Sequence, residues 1–219
     1  MTVKLPYFDK DGWTVALVIW AASYFLGFVS ECLFWIGFAF GFACLLFFRD
    51  PERIPPKKKG VAVSPADGII LKISEVDPPA ELGLEGKRTK ISIFMSVLNV
   101  HVNRTPVAGV VEKLLYVEGK RFNVTLDKAN EYNERLATYV TMENGQQIVF
   151  VQIAGLIARR IRCDIREGDI LERGQRVGII RFGSRVDIYL PTNVAVSVEE
   201  GQITVAGETI LANFKEGDE

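Results

Sequence analysis

His101 is the only imidazole in this chain of 219 residues, so any histidine-dependent proton transfer must use it. It lies in ISIFMSVLNVHVNRTPVAG, where an apolar β-prone run leads into a proline turn. Period-two alternation puts Asn99, His101 and Asn103 on one strand face. That pattern suits a histidine held by a core hydrogen bond as well as it suits a working base. Asp67 sits in VSPADGII between a proline turn and a new strand, where turn chemistry alone accounts for an aspartate. Gly183 and Ser184 interrupt the β run RVGIIRFGSRVDIYLP, a place where a bulge or close backbone approach also selects glycine.

Other chemistries have no residues to carry them. The chain has no glycine-rich phosphate loop, and FGSRV lacks the second glycine of a nucleophile elbow. One histidine and three cysteines, two of them in an apolar stretch, rule out most zinc sites and any disulfide framework, and no close acidic cluster suggests another metal. The cysteine pattern suits a reducing compartment. Lysine plus arginine (26) nearly cancels aspartate plus glutamate (27), which gives no electrostatic footprint for nucleic acid.

The elements that must position these residues fall into two regions with different solvents. From Trp13 to Phe48 the only formal charge is Glu31, and eight of the fourteen phenylalanines lie there. One straight helix over this run would measure about 54 Å, against a hydrocarbon core of about 30 Å. The run therefore predicts a helical hairpin turning at Ser30–Glu31, with arms of roughly 17 residues and about 25 Å. Two short transmembrane spans are favoured over a hairpin embedded in one leaflet. Arg49, Arg53, Lys57, Lys58 and Lys59 follow, against Asp50 and Glu52. Excess positive charge there marks the cytoplasmic side of a cell membrane and attracts anionic headgroups. The expected organisation is a membrane hairpin (1–48), a basic juxtamembrane linker (49–60) and one mostly β (α+β) domain (61–219). Helical periodicity in that domain is confined to Asn123–Arg135.

Several segments together resemble a family. SPADG (Ser64 to Gly68), LNVHVNRTPVAG (Leu98 to Gly109), NER at Asn133, QIAGLIARRI (Gln152 to Ile161) and FGSRVDIYLP (Phe182 to Pro191) look like the short-form phosphatidylserine decarboxylases. FRDPERIPP after an apolar hairpin resembles the same group, so the likeness runs in order over almost the whole chain. It implies a pyruvoyl-dependent enzyme that converts phosphatidylserine to phosphatidylethanolamine and CO2 through a Schiff base. It also implies that Ser184 is the pyruvoyl precursor and that the chain cuts itself between Gly183 and Ser184 into residues 1–183 and 184–219. Long forms carry threonine after that serine; Arg185 here matches the short forms.

The implied chemistry suits these residue types. Loss of CO2 from an α-amino acid leaves charge at Cα that needs an electron sink, and a pyruvoyl group is one made from the chain itself. A serine hydroxyl is a weak nucleophile and needs a base, for which His101 is the candidate, with Asp67 orienting the ring. His101 is also the candidate to return a proton to Cα. Arg104 and Arg135 are candidates for the lipid phosphate. The implied partners are membrane phosphatidylserine and the protein's own two chains; the oligomeric state stays open, a homo-oligomer packed through the aromatic hairpins being one option, and no nucleic acid and no metal are called for.

Three other readings compete. Gly168, Gly174 and Gly178 punctuate short strands as in a lipoyl- or biotinyl-type barrel-sandwich, which would make the protein a membrane-anchored adaptor. Val177 to Pro191 contains no lysine to carry a prosthetic group, so carrier function lacks its residue. An archaetidylserine decarboxylase would share the headgroup chemistry and differ only in ether-linked tails. A pyruvoyl decarboxylase of a soluble amino acid would gain nothing from the hairpin.

Overall fold

The computed structural model describes residues 7–119, 133–155, 160–181 and 184–214. The chain divides after Glu52 into two units.

The first unit is built by its apolar run. A two-residue strand β1 (Tyr7–Phe8) pairs with β2 (Arg49–Asp50), and between them lie α1 (Lys10–Gly27) and α2 (Glu31–Phe47). Asp9 caps α1 by accepting from the Asp11 N–H, and Ser30 holds the N-cap position of α2. Gly37 and Gly41 let the helices touch. A Cβ at Gly37 would meet Ser23 Oγ at 2.1 Å, and one at Gly41 would meet Trp20 Nε1 at 2.2 Å. The Trp20 indole donates across the pair to the Phe38 carbonyl at 3.0 Å. Outward faces stay apolar, with Leu17, Tyr24, Phe25, Phe28, Val29, Trp35, Ile36 and Phe40 all exposed. Among the described residues, no helix is long and apolar enough to cross a membrane. The arms are about 27 and 25 Å long, against a hydrocarbon core of about 30 Å.

The second unit is nearly all β, and every strand pairing in it is antiparallel. Its strands are β3 (Val61–Val63), β4 (Gly68–Val76), β5 (Arg88–Met95), β6 (Val102–Arg104), β7 (Gly109–Val117), β8 (Arg135–Thr141) and β9 (Gln147–Ala154). They continue with β10 (Ile161–Cys163), β11 (Ile170–Leu171), β12 (Arg176–Ile180), β13 (Ser184–Leu190), β14 (Ala195–Val196), β15 (Ile203–Thr204) and β16 (Ile210–Asn213). The large sheet has the order β11-β7-β8-β9-β13-β5-β4-β15, and two smaller sheets run β10-β12-β6 and β14-β16-β3. The expected helix over Asn123–Arg135 lies outside the described residues except at its end, where Arg135 opens β8.

Alternation sorts the central strands by face. Ile91, Ile93 and Met95 of β5, Ile148, Phe150 and Ala154 of β9, and Val186, Ile188 and Leu190 of β13 enter one core. Ala62, Val177, Ile180 and Leu211 from the smaller sheets enter it too, so all three sheets share that core. The opposite face carries a second cluster of Leu82, Tyr139, Val149, Val151, Ile153 and Tyr189. β13 lies between β5 and β9 and is buried at every residue. Polar residues on such a strand are costly unless each has a partner or a task.

Candidate active site

Ser184 opens that central strand, facing Met95 across one ladder and Ala154 across the other. Its residue is fully buried, and its hydroxyl donates to the Met95 sulfur at 3.2 Å. A thioether is a weak acceptor, so no strong bond consumes the hydroxyl. Gly183, the other half of the expected cleavage site, lies outside the described residues.

The segment between β5 and β6 connects Met95 to His101. Asn99 closes this turn, its side-chain oxygen accepting from both the N–H and the hydroxyl of Ser96 at 2.8 Å. Its carbonyl oxygen lies 3.0 Å from Nδ1 of the fully buried His101. A carbonyl can only accept, so Nδ1 carries the proton and Nε2 is the basic nitrogen. The tautomer is thus set by backbone within the histidine's own turn.

Asp67 comes to the same end of the large sheet. Gly68 starts β4, Ile69 pairs with Phe94, and the next residue of β5 is Met95, opposite Ser184. The Asp67 carboxylate accepts from Arg53 Nη2 and from the Ala206 N–H, each at 2.7 Å. Arg53, which the sequence placed in a linker, therefore supplies the countercharge of a site residue. The Ser64–Gly68 loop also borders β6, because the Pro65 carbonyl accepts from the Arg104 N–H at 2.9 Å.

The two arginines expected at the lipid phosphate are otherwise engaged. Arg104 is buried and donates from Nη1 to the Gly174 carbonyl at 2.9 Å. Arg135 faces away from Ser184, since it pairs with Ile153 while Ser184 pairs with Ala154. It grips Glu81 through two hydrogen bonds, Nε to Oε1 at 2.7 Å and Nη2 to Oε2. That back face also holds Arg185 bound twice to Asp187 at 2.7 Å, with Lys90 at 3.8 Å. Burial, with the Asp187 carboxylate beside it, pushes the Tyr189 phenol up.

Sequence reasoning missed two amides on Ser184's own face. Gln152 Nε2 donates to Asn103 Oδ1 at 2.8 Å, and Asn103 Nδ2 lies 3.5 Å from both the Pro65 carbonyl and the Met95 sulfur. The signal of Gln152 was visible, because it occupies an inward position in the strand QIVFVQIA where alternation calls for an apolar residue. No group of three or more potential metal ligands occurs among the described residues.

A buried serine, a tautomer-fixed histidine and a charge-paired aspartate thus lie on segments that meet at one end of the large sheet. A family model described as phosphatidylserine decarboxylase matches residues 40–212. The phosphatidylserine decarboxylase proenzyme of Granulibacter bethesdensis is 53% identical over 188 residues, covering 85% of this chain and 77% of that protein. The proenzyme of that name from Erythrobacter litoralis is 49% identical over 222 residues, 96% of this chain and 89% of its own. The one from Rickettsia akari is 48% identical over 206 residues, 94% of this chain and 89% of its own. The chain belongs to the phosphatidylserine decarboxylase family, and it is a decarboxylase rather than an adaptor.

Proposed function

We propose that the chain is a proenzyme that cuts itself between Gly183 and Ser184 and then decarboxylates phosphatidylserine. The observation that carries this reading is the fully buried Ser184 hydroxyl, resting only on a thioether at the start of the central strand.

In maturation, Ser184 Oγ gives its proton to a base and bonds to the Gly183 carbonyl carbon, and the peptide C–N bond breaks to leave an ester. Elimination then takes the Ser184 Cα proton, releases Gly183 as a carboxylate and leaves a dehydroalanine, which water converts to a ketone and ammonia. His101 Nε2 is the basic nitrogen for the first proton, as its tautomer allows. Asp67, neutralised by Arg53, adds an oriented carboxylate at the same sheet end. Ser184's surroundings fit a pyruvoyl group, because the buried hydroxyl rests on a thioether and no strong hydrogen-bond partner is stranded when it gives way to a ketone. Such a group supplies the electron sink for the charge left when CO2 departs. His101 Nε2 then holds the proton that returns to Cα of the product.

The hairpin embeds in the cytoplasmic leaflet of the cell membrane. Helices apolar on every face need an apolar solvent, and the exposed turn residues Phe28 and Val29 extend that surface to the tip. Exposed Lys57, Lys58 and Lys59 suit anionic headgroups. The two small sheets that share the core form a barrel-sandwich-like part of the catalytic domain.

Intact mass spectrometry tests the reading. The purified protein should give two chains divided at Gly183–Ser184, the smaller blocked to Edman sequencing, and borohydride with phosphatidylserine present should fix lipid to that smaller chain. A fully active, uncut chain would overturn it.

A further inference from the structure

Gln152 is the polar residue of the site that maturation leaves without a task. It is 1% exposed, and it lies across the ladders from Val186 and Leu136, both buried. Val186 is two residues along the same strand face from Ser184, so Gln152 and Ser184 are diagonal neighbours, about 7–8 Å apart by sheet geometry. A glutamine side chain reaches that far.

Its amide has a fixed sense. The Pro65 carbonyl can only accept, so Asn103 turns its NH2 toward Pro65 and its oxygen toward Gln152. Gln152 must then turn its own NH2 to Asn103, which leaves Oε1 as the outer atom. That oxygen is buried and has no hydrogen-bond partner among the described residues. A buried acceptor without a donor is costly, and native proteins keep few of them. Here it stands on the face of the reacting residue.

An acceptor recognises only a donor. In a phosphatidylserine headgroup near neutral pH, the phosphate and carboxylate only accept, and the ammonium alone donates. We propose that Gln152 Oε1, held by Asn103, is the acceptor that positions the substrate's amino group beside residue 184. The proposal rests on the decarboxylase reading above. It makes Gln152 a substrate-binding residue and Asn103 a positioning residue, with neither needed for self-cleavage.

The test measures equilibrium binding of dihexanoyl N,N-dimethylphosphatidylethanolamine and dihexanoyl phosphatidylcholine to the mature full-length enzyme. The first keeps one N–H on a tertiary ammonium that cannot form an imine with the ketone; the second keeps the positive charge and has no N–H. Gln152→Met keeps the side chain's length and removes the acceptor. It should weaken binding of the dimethyl lipid about tenfold or more, as loss of a hydrogen bond to a charged group does, and leave phosphatidylcholine unchanged. Gln152→Glu, which keeps an oxygen at that position, should retain most of the discrimination. Both variants should self-cleave fully by intact mass. Equal weakening for the two lipids, or none for either, would overturn the proposal and assign Oε1 to packing or to a bound water. A folded Gln152→Met chain that stayed whole would overturn it by placing the amide in maturation. Should Gln152→Met not fold, loss of discrimination in Gln152→Glu would overturn it equally. Wild-type turnover of phosphatidylserine, measured alongside, fails only if the decarboxylase reading itself is wrong.

Discussion

The Ser184 hydroxyl and the His101 ring are prepared by opposite means. Ser184 rests on a poor acceptor, the Met95 thioether, whereas His101 is held in one tautomer by a firm one, the Asn99 carbonyl. This separates their variants. Ser184→Ala should remain a single uncut chain with no decarboxylase activity, lacking both the nucleophile and the precursor of the ketone. His101→Ala should also stay whole while folded, since the chain holds no second imidazole. Intact mass after prolonged incubation reads both outcomes, and wild-type cleavage in the histidine variant would remove it from the base role. Asp67→Ala should cleave more slowly than wild type yet still cleave, because the Nδ1 proton is already held by Asn99.

The central strand β13 does two jobs, one on each face. Toward the main core it presents Ser184, and toward the back it buries the Arg185–Asp187 pair. Asp187→Ala would leave the Arg185 guanidinium and Lys90 without that carboxylate inside a desolvated face. The expected cost is about 3–5 kcal/mol, read as a drop in Tm together with poor processing. The turn ahead of β4 is equally constrained. A Cβ at Gly68 would lie 2.1 Å from the Phe94 carbonyl oxygen, so Gly68→Ala must push the strand start, and Asp67 with it, off β5. Slower cleavage with a lowered Tm is the expected outcome. Much of this scale was legible in the sequence. The alternation of RVDIYLP and QIVFVQIA gave two-faced buried strands, and the apolar run with Ser30–Glu31 at its middle gave two helices and their turn. Arg53 and Asn103 were not legible as site neighbours, because their partners Asp67 and Gln152 lie 14 and 49 residues away. No local pattern encodes a pairing of that range. The placement of Arg135 was not legible for a related reason, since its charge was visible but its sheet face depends on the register of β8 against β9.

For the whole molecule, the division after Glu52 separates a helical hairpin with apolar outward faces from the β unit that holds Ser184, His101 and Asp67. A diacyl lipid is scarcely free in water, so tethering the catalyst where its substrate is concentrated raises encounter without changing the site. A chain starting at Arg53 keeps every residue assigned to cleavage, including the arginine that neutralises Asp67. It should therefore cut itself as the full chain does. Its turnover should fall steeply on bilayer phosphatidylserine and little on dispersed short-chain substrate. A chain starting at Pro56 keeps the β strands and loses Arg53, so its cleavage should be slower even though both chains lack the hairpin. Comparing the two by intact mass and by activity on the two substrate forms separates tethering from charge pairing. If the Arg53 chain stayed whole while folded, the first unit would have to build part of the site. If it turned over bilayer and dispersed lipid with the full chain's preference, the hairpin would not be its route to the membrane.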